Sequence, residues 1–205
     1  MGSLQPGGPE LLYPTAPFPL ATASGTVRDR HGTWTWFQSE SMDGVYPGLD
    51  ASLASIASLL AESGPFDGII GFSQGAALAA MVASLLEENR SDAFVSSELG
   101  GIPYPDCFAS LPHPPFKFVV SFSGFVASHP DYRAFYTPAI RTPMLHVLGS
   151  MDTVVEEEWS MKLVESCQKD DANQPTVLRH SGGHIVPAGK RELNMVVHFI
   201  KMHTS

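Results

Sequence analysis

Phe66-Asp-Gly-Ile-Ile-Gly-Phe-Ser-Gln-Gly-Ala-Ala-Leu-Ala-Ala80 is the stretch whose reading decides the fold. Ile69 and Ile70 end a short apolar run that reads as a buried strand, and Ala76 to Leu86 reads as a helix with almost nothing polar before Glu87. Between them Gly71-Phe-Ser-Gln-Gly75 is Gly-x-Ser-x-Gly at a strand-to-helix junction, the context in which that motif forms a nucleophile elbow. A serine in so tight a turn is presented at the carboxyl end of the strand. The backbone N–H of Gln74, at the helix start, points to where an oxyanion would form. Gly-x-Ser-x-Gly also occurs by chance in loops, so the functional reading requires a base and a carboxylate downstream, since a serine hydroxyl is a poor nucleophile alone.

Both are present, in the order Ser, Asp, His. Asp152 follows the apolar run Pro143-Met-Leu-His-Val-Leu-Gly149 after a short turn, which puts it at a strand's carboxyl end, where ligands and catalytic groups gather in parallel sheets. The competing use of Asp152 is as a helix cap. His184 lies in His180-Ser-Gly-Gly-His-Ile-Val-Pro187 after the strand Pro175–Arg179, on a loop whose two glycines let it carry an imidazole to the serine. His180 and His184 have a spacing that resembles metal ligation, but Gly182-Gly183 spoils a helix there and no third ligand is evident, so no metal is expected. His146 lies inside a strand, Asp67 before the elbow strand and Asp131 in a loop, all weaker positions for catalysis. Ser73, Asp152 and His184 together make a triad with Ser73 as nucleophile, His184 as general base and acid, and Asp152 orienting the ring.

The remaining chain supplies alternating elements. Leu49, Leu53, Ile56, Leu59 and Leu60 recur at helical spacing up to Gly64-Pro65, and the elbow strand and helix follow at once. Helix, strand and helix in succession imply parallel strands with crossover helices. Phe116–Phe122 is a further strand, Tyr132–Tyr136 a short helix or cap, Glu156–Gln168 an amphipathic helix and Lys190–Met202 the closing helix. Glu10–Pro14 reads as a short strand. Residues 89–115, with Gly100, Gly101 and five prolines between Pro103 and Pro115, read as an irregular insertion or lid. Alternation of Trp34 and Trp36 would put both rings on one side of an extended segment. They either plug a gap over the core or line an acyl pocket, which makes them tentative substrate-binding residues. One domain over residues 1–205 is expected, enough for a sizeable core.

The bulk composition excludes several classes. A net charge of −9 leaves few basic groups to neutralise phosphates, which argues against nucleic acid and against anionic membranes. Cys107 and Cys167 have no metal spacing and read as ordinary reduced thiols. The first residues lack the regions of a signal peptide and no apolar run approaches a membrane span, so cytoplasm is the expectation.

Gly71-Phe-Ser-Gln-Gly-Ala76, Ser121-Phe-Ser-Gly124, His146-Val-Leu-Gly-Ser-Met-Asp-Thr-Val154 and His180–Pro187 together resemble the fungal "family of serine hydrolases" of the α/β-hydrolase fold, over roughly residues 10 to 203. The resemblance implies a mostly parallel sheet with helices on both faces, and an esterase or thioesterase acting through an acyl-enzyme with no cofactor. Members in fungal secondary metabolism look like trans-acting thioesterases that release polyketide chains from an acyl carrier protein. Arg28, Arg30, Arg133 and Arg141 are the candidates for docking such an acidic partner. One departure stands out: family members begin with a strand ending in a Leu-His-Gly-type turn, which supplies a second oxyanion amide, and this chain starts at about the point that follows it. An N-terminally shortened hydrolase is therefore expected, and the alternative function is a non-catalytic module that binds an acyl group or its carrier on a degenerate hydrolase scaffold.

Overall fold

The computed structural model describes residues 9–20, 33–38, 44–95, 101–169 and 175–204. Its centre is a parallel sheet of four strands, β3 (Gly68–Phe72), β4 (Phe118–Phe122), β5 (Met144–Gly149) and β6 (Thr176–His180), hydrogen-bonded in that order. They follow a two-stranded antiparallel pair, β1 (Phe18–Pro19) and β2 (Trp34–Thr35). The register pairs Gly71 with Ser121, Ser121 with His146, and His146 with Val177, so the four strands end nearly level at their carboxyl edge. Sequential order in a parallel sheet requires every crossover to turn the same way, which places the connections on one face.

That face is where the alternation of each strand sends its inward side chains. α1 (Leu49–Ser63), α2 (Gln74–Leu85) and α5 (Glu157–Glu165) lie over it, with a 3-10 helix at Pro130–Phe135. Ten consecutive residues of α2, Ala76 to Leu85, are buried, as an all-apolar helix enclosed by neighbours must be. One core joins Leu53, Ile56 and Leu60 of α1, Met81 of α2, Val119 of β4, Phe135 and Leu163. The opposite face carries Phe118, Val120, Phe122, Leu145, Val147 and Leu178, packed under Phe199 of α6 (Lys190–Thr204). This second layer is thin: β3 is the edge strand among the described elements, and its Ile70 and Phe72 on this face are 45% and 38% exposed.

The elements coincide with those read from periodicity, except in two places. Glu10–Pro14 is irregular chain, not a strand; Pro9 and Pro14 bracket it, and the short pairing begins only at Phe18. The 89–115 segment contains α3 (Arg90–Val95) and α4 (Asp106–Ala109), whose Phe94 and Phe108 enter the core. It also packs at the end of the sheet away from the elbow. Tyr104 Oη donates to Leu85 O at the far end of α2, and His113 Nε2 accepts from Phe66 N just ahead of β3. The described part of this segment therefore braces the amino edge of the sheet and is no lid over Ser73. Its prolines carry little regular structure because the aromatics between them supply the burial.

At the same edge Glu87 and Arg90 form a buried pair at 2.5 Å. Glu87 also accepts from the backbone N–H groups of Arg141 and Thr142 at the entry to β5, and Arg90 donates to the carbonyls of Pro138 and Ala139. Every charged atom of the pair is thus matched, the condition under which a buried ion pair is tolerated.

His146, in the middle of β5, is 1% exposed, and its Nε2 lies 3.6 Å from Cys167 Sγ. Burial lowers its pKa from 6.5 to about 4 and raises that of Cys167 to about 12, so both are neutral. The unfolded chain takes up a proton at His146 below pH 6.5 that the folded chain refuses. Stability from this residue is therefore complete above pH 6.5 and lost as pH falls toward 4. Urea titrations of the wild type and of His146→Leu at pH 7 and pH 4.5 are expected to show the wild type losing more stability on acidification, by on the order of 2 kcal/mol. Parallel loss in the two proteins would contradict a buried neutral imidazole.

Candidate active site

Four consecutive loops leave the carboxyl edge of the four strands, and each delivers one polar side chain to the same place: Ser73 after β3, Ser123 after β4, Asp152 after β5 and His184 after β6. Ser73 has φ 54° and ψ −120°, a backbone conformation costly for a residue with a side chain. The turn is fastened on both sides. Ser73 N–H donates to Phe122 O on β4 at 2.8 Å, and its carbonyl accepts from Ala76 and Ala77 at 2.9 and 3.1 Å. The two glycines of the motif differ in purpose. A Cβ on Gly71 would sit 2.4–2.5 Å from Gly75 O and Ala76 Cα, so strand and helix cannot close on each other with any other residue there. A Cβ on Gly75 would meet only the Trp36 ring, at an ordinary 3.5 Å.

Gln74 opens α2, so its N–H has no acceptor within the helix. Its side chain holds a different segment. Oε1 accepts from Trp36 N–H at 2.7 Å and lies 2.6 Å from Thr35 Oγ1, while Nε2 donates to Phe37 O at 2.7 Å. Ser52 of α1 donates to Trp36 O. The 34–37 segment is thereby latched to the residue after the serine. Trp36 is half-buried beside Gly75, while Trp34 is 47% exposed in β2 with Thr35 buried between them. Thr35 and Phe37 are buried while Trp34 and Trp36 are less so, the alternation that an extended segment gives.

His184 joins the serine to the carboxylate. Its Nε2 lies 2.9 Å from Ser73 Oγ and its Nδ1 2.8 Å from Asp152 Oδ2. A carboxylate only accepts, so Nδ1 carries the proton and Nε2 presents its lone pair to the serine hydroxyl. The ring also rests against Phe72, with centroids 4.7 Å apart. Asp152 is nearly enclosed, its side chain 2% exposed. Oδ1 accepts from Val154 and Val155 N–H at 3.0 and 2.9 Å, and Oδ2 accepts a second bond from Ser123 Oγ at 2.8 Å. Burial by itself pushes the carboxyl pKa up. The bonds from His184, Val155, Ser123 and Val154 outweigh it and hold the group at about 2. Asp152 does not cap α5, which begins at Glu157 behind Glu156.

The His184 loop is pinned rather than loose. Gly182 N–H donates to His180 Nδ1, Gly182 O accepts from Met151 N–H, and His180 O accepts from Ser150 N–H. Gly149 makes this approach possible, because a Cβ there would lie 2.5 Å from Gly183 O. The same loops leave an apolar rim at the mouth of the site. Phe72, Met151, Val154, Ile185 and Val186 are each 38–66% exposed, next to Ser73, Asp152 or His184 in the chain.

Of the arginines read as a docking patch, Arg28 and Arg30 lie outside the described residues. Arg141 stands ahead of β5, at the opposite edge of the sheet from Ser73, and donates to Glu88 O. Two contributions were not assigned from the sequence: the Gln74 side chain, and Ser123, which lies within the quoted Ser121–Gly124 motif but had no role.

A parallel sheet with a strained serine turn and a Ser-His-Asp arrangement at its carboxyl edge is the architecture of an α/β hydrolase. Solved structures share the fold. Zea mays acyl-protein thioesterase 2 superposes with a TM-score of 0.56 at 21% identity, covering 94% of this chain and 80% of that one. Esterase PE8 superposes at 0.54 with 21% identity, covering 93% and 76%. Residues 2–196 match the family described as "Serine hydrolase (FSH1)", and the chain belongs to that family. It is 30% identical to Family of serine hydrolases 2 from Saccharomyces cerevisiae, over 96% of this chain and 86% of that one. It is 33% identical to Esterase OVCA2 from Xenopus tropicalis, over 83% and 66%. A Schizosaccharomyces pombe protein named dihydrofolate reductase is 41% identical over 76% of this chain, which spans only 30% of that longer protein.

The low pKa of Asp152 carries a stability consequence. The folded chain holds its proton less tightly than the unfolded chain, whose carboxyl titrates near 3.8, so the stabilisation is complete above pH 4 and lost as pH falls toward 2. Thermal unfolding of the wild type and of Asp152→Asn between pH 6 and pH 2 is expected to give a gap in Tm above pH 4 that closes toward pH 2.

Proposed function

We propose that this chain hydrolyses an ester or thioester through an acyl-enzyme, with Ser73, His184 and Asp152 as the catalytic groups. The observation that carries the reading is the His184 bridge, 2.9 Å to Ser73 Oγ and 2.8 Å to Asp152 Oδ2. Ser73 Oγ attacks the carbonyl carbon while its proton passes to His184 Nε2. The developing oxyanion takes a hydrogen bond from Gln74 N–H. Asp152, already ionised, stabilises the imidazolium without taking its proton. Collapse breaks the bond to the leaving alcohol or thiol, which receives the proton from His184. Water then adds to the acyl-serine by the same route, releasing the acid and restoring Ser73.

The apolar rim of Phe72, Met151, Val154, Ile185 and Val186 supports an apolar acyl chain, since exposed apolar groups gathered around a polar centre mark a contact surface. Trp36, held against Gly75 by the Gln74 latch, and Trp34, on the same side of the alternation, are the aromatic candidates for the wall of that site. The finer reading is a thioesterase releasing a polyketide or other acyl chain from an acyl carrier protein in fungal secondary metabolism. It rests on the family resemblance and on this rim. Both cysteines, Cys107 and Cys167, are free thiols, which suits a reducing compartment such as the cytoplasm.

Intact-mass spectrometry after fluorophosphonate treatment is the direct test. A single adduct is expected on the wild type and none on Ser73→Ala or His184→Ala. Absence of an adduct on folded wild type would instead favour the non-catalytic acyl-binding module. Substrate class is tested with p-nitrophenyl esters of increasing length. kcat/KM is expected to rise from acetate to octanoate, and Ile185→Asn with Val154→Asn to remove most of that rise, at up to about 0.8 kcal/mol per buried methylene.

A further inference from the structure

We propose that Ser123 is a positioning residue of this site, a fourth member that acts through Asp152. This rests on the serine hydrolase reading above. Ser123 is 1% exposed, so no substrate reaches it, and its hydroxyl donates to Asp152 Oδ2 at 2.8 Å. That oxygen is the one that faces His184 Nδ1, at the same 2.8 Å. The other oxygen is already held by two backbone N–H groups, Val154 and Val155. The carboxylate is therefore anchored at Oδ1, and Ser123 governs Oδ2, setting its direction and sharing its electron density with the imidazole.

The backbone argues for purpose in the same place. Ser123 has φ 48°, one of three non-glycine residues with positive φ among the described residues. This is a conformation that a glycine would adopt without strain. The cost of a side chain here is about 1 kcal/mol, and the bond to Asp152 is what the side chain makes in return. Ser123 N–H is tied to Val147 O on β5, at 2.9 Å, so the turn that aims the hydroxyl is itself fixed to the strand that ends in Asp152. Ser73 and Ser123 stand in register, following the cross-strand pair Phe72 and Phe122, and both have positive φ at the end of adjacent strands.

The titratable groups around Asp152 are few. His184 touches it, and His180 ends β6 behind it, its Nδ1 accepting from Gly182 N–H. Glu156, Glu157 and Glu158 open α5, with Glu157 paired to Arg179 and Glu158 to Lys162. β3 and β4 bring only the hydroxyls of Ser73 and Ser123 to this edge. Removing Ser123 Oγ leaves Oδ2 with His184 as its sole side-chain donor. The carboxylate charge is then less dispersed and the imidazolium better stabilised. The loss of direction at Oδ2 misaligns the ring and slows the chemical step.

The test is steady-state hydrolysis of p-nitrophenyl butyrate by wild type, Ser123→Ala and Ser123→Gly across pH 5–9, with thermal unfolding alongside. Both variants are expected to lose about 10-fold in kcat with KM unchanged, within the range a lost hydrogen bond to a charged group spans. The acidic limb of kcat/KM is expected to move up by about half a pH unit. Gly relieves the strained φ and Ala does not, so a role confined to the backbone predicts Ser123→Gly equal to wild type. Wild-type kcat in Ser123→Gly, or an acidic limb that stays in place in both variants, would overturn the proposal while leaving the triad standing. A wild-type protein whose turnover survives Ser73→Ala would overturn the triad and this proposal together.

Discussion

An imidazole can touch a serine and a carboxylate at once only if the chain segments bearing them end within a few ångströms of one another. In this protein that condition is met by the register of β3, β4, β5 and β6. Because the strands are parallel and end level, the four loops that follow them open on one small region, and each contributes a single polar group. The hydrogen bonds that join the loops, from Ser73 N–H to Phe122 O, Ser123 N–H to Val147 O and Ser150 N–H to His180 O, continue the sheet one step past its strands. The site is thus an extension of the ladder, and its precision is inherited from backbone pairing.

Close approach imposes the second constraint. The turns that deliver Ser73 and His184 require backbone to lie where a Cβ would stand, at Gly71 and at Gly149. Conformational strain is then carried by Ser73 and Ser123, residues whose side chains are used. Strain at the edge is opposed by a thoroughly buried helix α2 behind it and by the Glu87–Arg90 pair that ties α2 to the start of β5. The amino edge is braced by α3, α4 and the aromatic contacts among Phe66, His113 and Phe116. The carboxyl edge is held by backbone bonds and leaves apolar side chains open to solvent.

Much of this was legible in the chain. The elbow and the short motifs that carry Asp152 and His184 are local patterns, each written in a dozen residues or fewer, and the order in which they follow one another is read directly from the chain. The 89–115 segment was misread because proline content predicts irregular backbone and says nothing of where aromatics such as Phe94 and Phe108 are buried. Ser123 and the Gln74 latch were invisible for a different reason. Their partners lie 29 and 37 to 39 residues away, so no spacing rule connects them.

The sequence by itself determined which residues are the candidates for the chemistry and which strand each follows, since a candidate nucleophile, base and carboxylate are recognised by residue type and by the short motifs around them. The tertiary structure alone decided which oxygen of Asp152 faces His184, that a second serine shares it, that Trp36 lies against the elbow, and that the proline-rich segment sits at the far edge. Those are matters of distance between segments remote in the chain. They are settled by strand register and side-chain burial, which local composition does not encode.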